Sequence, residues 1–203
     1  MGRRISNNVY NALTELGNIG AGNAATSLSV MLNTELKMSA PKVSLYDFDS
    51  LENMLGGPDT TVVGVVSMIE GYINAMILFV LKLEDAENMV KTLINPETSL
   101  ESEMGHSAIK EIANIIMGSY VSSLETLTGM KIRHSLPDIC IDMAASILSV
   151  PCIEFGKVGD KALIINSEFE SGNQKINGII MMVSEEHSYD MLLKKLGIEV
   201  IDG

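Results

Sequence analysis

Apolar positions along the chain follow two spacings, and these spacings alternate in an order that occurs twice. Between residues 7 and 31, Val9, Leu13, Leu16, Ile19, Leu28 and Met31 keep helical spacing, which predicts a long helix. Ser6 is placed to cap it, its hydroxyl accepting an otherwise unpaired N–H. Pro41 then opens a β-like stretch from Val43 to Phe48. Thr60 to Ile69 and Tyr72 to Leu83 read as strands joined at Glu70-Gly71, a hairpin. Ala86, Met89, Val90 and Leu93 make Asp85 to Ile94 a short amphipathic helix, ended by the linker-like run Asn95 to Ser99.

The order then returns. Glu103 to Thr128 reads as a helix stopped by Gly129, and Pro137 precedes a β-like Ile139 to Met143. Lys161 to Glu168 and Ile176 to Val183 are strands around a Ser-Gly-Asn-Gln turn, and Glu185 to Leu196 is a closing helix stopped by Gly197. Ala144 to Gly156 carries mixed signals and predicts no element. Hairpins favour antiparallel pairing. The expected fold is therefore α+β: one domain over 1–203, built from two pseudo-symmetric helix–strand–hairpin–helix halves (about 7–95 and 103–197). They would share a mainly antiparallel sheet with the two long helices on one face.

The halves also share residues. Asn11, Glu15, Asn18, Gly22 and Pro41 each stand 96 residues before Ser107, Glu111, Asn114, Gly118 and Pro137. Spacings of four, three and four put the first four of each set on one stripe of a helix, neighbours about 5–6 Å apart. That stripe lies away from the apolar face and should meet solvent or a partner. Gly17, Gly20 and Gly22 each weaken the first helix by about 1 kcal/mol relative to Ala. Close approach of a neighbouring backbone is the expected compensation, and Gly22 and Gly118 are expected to clear space beside each stripe.

A carboxylate three residues before a carboxamide can grip a cation and hold a water in a chosen direction. Without His, Cys or a third carboxylate beside it, the stripe suits neither metal binding nor covalent catalysis. What remains is positioning, which carries most of the catalysis in phosphoryl transfer. A single Glu-x2-Asn on a helix is ordinarily a solvated pair, and duplication alone would copy it. Yet the intervening positions have diverged (Gly17 to Ala113, Gly20 to Ile116, Ala24 to Tyr120) while both pairs are kept. Retention amid divergence favours a functional pair.

Composition narrows the partners. A formal net charge of −12 with no Lys/Arg-rich run excludes the footprint of a nucleic-acid binder and makes an acidic membrane a poor partner. No apolar run approaches the length of a spanning helix, and Ser6-Asn7-Asn8 follows the basic start where a signal peptide would be apolar. Two cysteines, Cys140 and Cys152, in apolar contexts suggest free buried thiols and a cytoplasmic setting. With 14 Met and no Trp, the core should pack adaptably.

The doubled pattern, together with the runs Glu15 to Thr26 (ELGNIGAGNAAT) and Glu111 to Tyr120 (EIANIIMGSY), resembles the CheC family of chemotaxis proteins, the group that includes CheX and FliY. The resemblance covers essentially the whole chain. It implies a phosphatase acting on the aspartyl phosphate of the response regulator CheY. Glu15 and Glu111 would pair with the regulator's lysine, and Asn18 and Asn114 would orient the attacking water. Mg2+ would belong to CheY, with no metal or cofactor bound by this chain. CheD, a receptor deamidase, is the second implied partner. The family's leading position is Asp or Ser, so Asn11 departs from it by losing the charge, whereas Ser107 conforms. The alternatives are a non-enzymatic switch or scaffold module of the FliM type, or a pure CheD regulator. A monomer is expected by analogy, since one chain carries both repeats.

Other signals are weaker. Gly20-x-Gly22-x-x-Ala25 imitates a dinucleotide fingerprint but follows no strand and lies inside the helix, where helix packing explains it better. His106, His134 and His187 lack ligand spacing.

Overall fold

Two 26-residue helices, α1 (Asn7–Leu32) and α4 (Glu103–Thr128), bear out the sequence periods. The computed structural model describes residues 7–39, 42–47, 50–155, 161–171 and 174–196. The proposed cap Ser6, the motif proline Pro41, Phe48 and the stop at Gly197 lie outside these. For α4 the predicted ends are found. The Ser102 hydroxyl accepts from the Gly105 N–H at 3.0 Å, and Gly129 closes the helix in the left-handed conformation with φ 67°.

The remaining elements are β1 (Lys37–Met38), β2 (Lys42–Asp47), α2 (Leu51–Met54), β3 (Thr61–Gly71), β4 (Ala75–Lys82), α3 (Leu83–Leu93), β5 (Ile132–His134), β6 (Asp138–Met143), α5 (Ala144–Phe155), β7 (Lys161–Ser171), β8 (Gln174–Ser184) and α6 (Glu186–Lys195). The first hairpin's turn runs further than predicted. The Asn74 N–H donates to the Ser188 hydroxyl at 2.9 Å instead of entering a ladder, so β4 starts at Ala75 rather than Tyr72.

The unassigned stretch is α5. Its buried residues Ala144, Ile147, Leu148 and Pro151 keep helical spacing, but Val150 and Ile153 add apolar positions elsewhere and Pro151 argues against a helix. Each half thus has one more helix, α2 or α5, between its edge strands and its hairpin.

Eight strands form one sheet, antiparallel at every described pairing. Its centre is β4 against β8, with Phe79 opposite Ile180. Outward lie β3 and β7, and the edge strands are exchanged. Strands β1 and β2, which follow α1, pair with β7 of the second half, while β5 and β6, which follow α4, pair with β3 of the first. Both exchanges keep one register. Ser44 faces Ile164 in one ladder, and Cys140, 96 residues after Ser44, faces Gly64, 100 residues before Ile164. A pseudo-dyad therefore runs through the middle of the sheet.

Alternation along the strands feeds two cores. On one face Val63, Val65, Ile77, Phe79, Ile165 and Ile180 pack under α1, α4, α3 and α6. On the other, Val62, Leu78, Val80, Ile164 and Met181 pack under α2 and α5. The long helices lie on one face, as expected, and pack against each other. The cysteines correct the reading of buried thiols, because β6 is an edge. Cys140 is exposed as a residue and Cys152 half-buried, and both are free. The Cys140 sulfur still leans on the Gly64 carbonyl at 3.6 Å; desolvation first, then the Asp142 charge, raises its pKa. Among the described residues no helix is long and apolar enough to cross a membrane.

Candidate functional site

Helix packing decides which side of each long helix is left for chemistry. Leu13, Leu16, Ala24 and Leu28 of α1, and Ile109, Ile112, Ala113, Ile116 and Tyr120 of α4, are buried. The faces opposite carry the stripes. Asn11, Glu15, Asn18 and Gly22 are exposed, as are Ser107 and Glu111, whereas Asn114 and Gly118 are half-buried. Among the described residues neither Glu15 nor Glu111 has an ion-pair partner, so each carboxylate is available to a cation from outside. No group of His, Cys, Asp and Glu among the described residues could hold a metal ion.

The second stripe has a wall. Beyond β5 the chain runs back along α4 in the opposite direction. At one end the His134 ring lies against Gly118, and at the other Asp138 meets Lys110 at 3.6 Å. That pair is largely exposed and contributes little stability. Asn114 lies midway between Lys110 and Gly118 along α4. Pro137 is buried and Leu136 projects, 87% exposed. Of the residues that correspond to 134–138, Met38, Ser39 and Lys42 are among those described, and Pro41 is not.

The glycines differ in kind. A methyl on Gly22 would meet nothing within 4 Å, as expected of a cleared space. A methyl on Gly118 would lie 3.1 Å from His134 Nε2, so that space is filled. Gly20 does admit a close neighbour, but it is the Tyr120 ring, not a backbone: a methyl there would collide with two of its ring carbons. Position 120 corresponds to Ala24, so the bulk gained in one half is accommodated by the glycine of the other. His134 lacks ligand spacing, so spacing alone does not mark it. The 96-residue offset, which sets it opposite Met38, was the signal that could have marked it.

The groups brought together are two outward carboxylate–amide pairs with no nucleophile between them. Such a pair has the chemistry to bind a cationic group and direct a water.

Comparison with known proteins reaches the same residues. The model of the CheC-like family matches residues 9–45 and 104–141, which are the two stripes and the segments returning beside them. The chain is 31% identical over 192 residues to the CheY-P phosphatase CheC of Bacillus subtilis, covering 91% of this chain and 92% of that protein. Among solved structures, Thermotoga maritima FliY superposes with a TM-score of 0.71 at 20% identity, covering 96% of this chain and 98% of that one. The FliM middle domain of H. pylori superposes at 0.67 with 13% identity, over 94% and 99%. At such identities these two likenesses speak for the fold.

Proposed function

The chain belongs to the CheC-like family, and on that premise we propose that it dephosphorylates phospho-CheY at two sites, one on each long helix. It is a phosphatase at the level of the family. Glu15 and Glu111 pair with the lysine of the regulator's phosphorylation site, and Asn18 and Asn114 hold a water in line with the phosphorus. The water oxygen forms the new P–O bond as the bond to the aspartyl oxygen breaks. The aspartate leaves as carboxylate, inorganic phosphate is released, and Mg2+ is carried by the regulator. Asn11 and Ser107 begin the two stripes as supporting positions.

The observation that carries this reading is the paired presentation: Glu15 with Asn18 exposed on α1, and Glu111 with Asn114 facing outward at the 96-residue offset on α4. Positioning and charge stabilisation are what phosphoryl transfer requires of a protein. Replacing Glu15, Asn18, Glu111 and Asn114 by Ala together should lower phosphate release to the regulator's own rate while the circular dichroism and unfolding midpoint stay close to the parent's. Continued acceleration by that variant would sink the assignment.

The fold shared with a FliM middle domain keeps a non-enzymatic switch or scaffold role in view, and the complete Glu/Asn pairs favour catalysis over it. CheD is the second partner proposed, on the family resemblance alone. Phosphate release measured with and without CheD separates a phosphatase that CheD modulates from a pure CheD regulator. A monomer is proposed as well, because the exchanged edge strands complete the sheet within one chain.

A further inference from the structure

His134 is the group beside the second stripe for which the doubled motif has no counterpart, since the equivalent residue of the first half is Met38. Both residues pair in the same register, His134 with Ile69 and Met38 with Phe169, so the comparison is position for position. His134 Nδ1 lies 3.1 Å from the Ser135 carbonyl oxygen and 3.4 Å from the hydroxyl of Ser67, which is buried. A carbonyl oxygen only accepts, so Nδ1 donates in this arrangement and Nε2 is left to face α4. Ser67 is itself held, donating to that carbonyl at 2.7 Å. The ring is thus fixed from behind, with Nε2 aimed at α4.

Its aim is the space a side chain at 118 would fill, 3.1 Å from that Cβ position. On a helix a side chain leans over the turn N-terminal to its own Cα, so this space adjoins Asn114, one turn earlier. Asn114 is half-buried where Asn18 is exposed, and Gly118 half-buried where Gly22 is open. The two pairs are identical in residue type, yet one amide is half-buried and the other exposed.

We propose that His134 is a positioning residue of the second stripe: it confines the Asn114 amide to the orientation that sets the attacking water, and the first stripe works without such a residue. This rests on the phosphatase reading above. The two sites then differ in kind, the second pre-set and the first ordered only when the regulator fills the space at Gly22.

Two single-site chains test it: E15A/N18A, which leaves the second site, and E111A/N114A, which leaves the first. Confining one polar side chain in advance is worth about three- to ten-fold in rate. H134M, which installs the first half's residue, should lower kcat of the second-site chain on phospho-CheY by that factor with KM little changed. H134Q, whose amide can reach the Nε2 position, should restore most of it. The first-site chain, whose machinery does not include His134, reports any damage to the fold. An unchanged second-site kcat, or an equal fall in both chains, overturns the proposal.

A second readout needs no regulator. In the free protein the Asn114 side-chain amide should show a higher NMR order parameter than that of Asn18, and H134M should remove the difference. Equal order in the parent chain overturns the proposal even if both sites are active. Inactivity of both single-site chains would sink the phosphatase reading instead, with the amide order still deciding whether His134 holds Asn114.

Discussion

The stripes on α1 and α4 carry the same Glu and Asn at the same spacing, yet their surroundings differ. Along α4 the returning segment closes one side, from His134 against Gly118 to Asp138 on Lys110. Along α1 the corresponding residues are Met38, Gly22, Lys42 and Thr14, and the space at Gly22 is open. Matching motifs therefore do not make matching sites. The pair fixes which chemistry is available, and the neighbours fix how much ordering is done before the partner arrives.

The comparison is meaningful because the halves form one body, and the largest expected effect comes from separating them. Expressed alone, residues 1–98 would leave β2 without β7 and β4 without β8, exposing two edges of the sheet. The isolated half should show no cooperative unfolding transition, and mixing it with residues 99–203 should restore one. A cooperatively folded monomeric half would mean that the stripes belong to separable units.

Next in size is the contact that sets one helix on the other. Gly20→Ala would drive a methyl into the Tyr120 ring. Overpacking costs about 1–3 kcal/mol, and a clash with ring carbons this close belongs at the upper end, above the ~1 kcal/mol by which Ala ordinarily improves a helical glycine. The unfolding midpoint in urea should fall. Both single-site chains should lose activity together, because the displaced interface is common to both helices. Loss confined to one of them would show that Gly20 acts on a single site.

Much of this was legible beforehand, and what was not shares a physical reason. The ends of α4, the two hairpins and the buried faces of the helices follow from local spacing and capping. The 96-residue offset exposed both stripes and the changes at Gly20 and Ala24. Helix α5 was hidden by Pro151 and by apolar residues off its buried face, and α2, β1 and β5 are too short to hold a period. The exchange of edge strands and the placing of His134 beside Gly118 are contacts distant in sequence. Only the folded chain brings together Gly118 with His134 or Gly20 with Tyr120.

The smallest effect is the sharpest test of the comparison, since it makes one substitution at two equivalent places. Gly22→Ala adds a methyl to exposed helix with nothing within 4 Å. It should therefore stabilise by about 1 kcal/mol through helix propensity and reduced freedom of the unfolded chain. Gly118→Ala brings the same propensity gain but sets its methyl 3.1 Å from His134 Nε2. The ring must give by a few tenths of an ångström against its contacts with Ser135 and Ser67, so the net gain should be smaller than at Gly22 or vanish. In the G118A/H134A double variant the full gain should return, a coupling readable from denaturation midpoints by a double-mutant cycle. If the two alanines stabilise equally and show no coupling to His134, the second stripe has no wall at Gly118 and the two sites are alike.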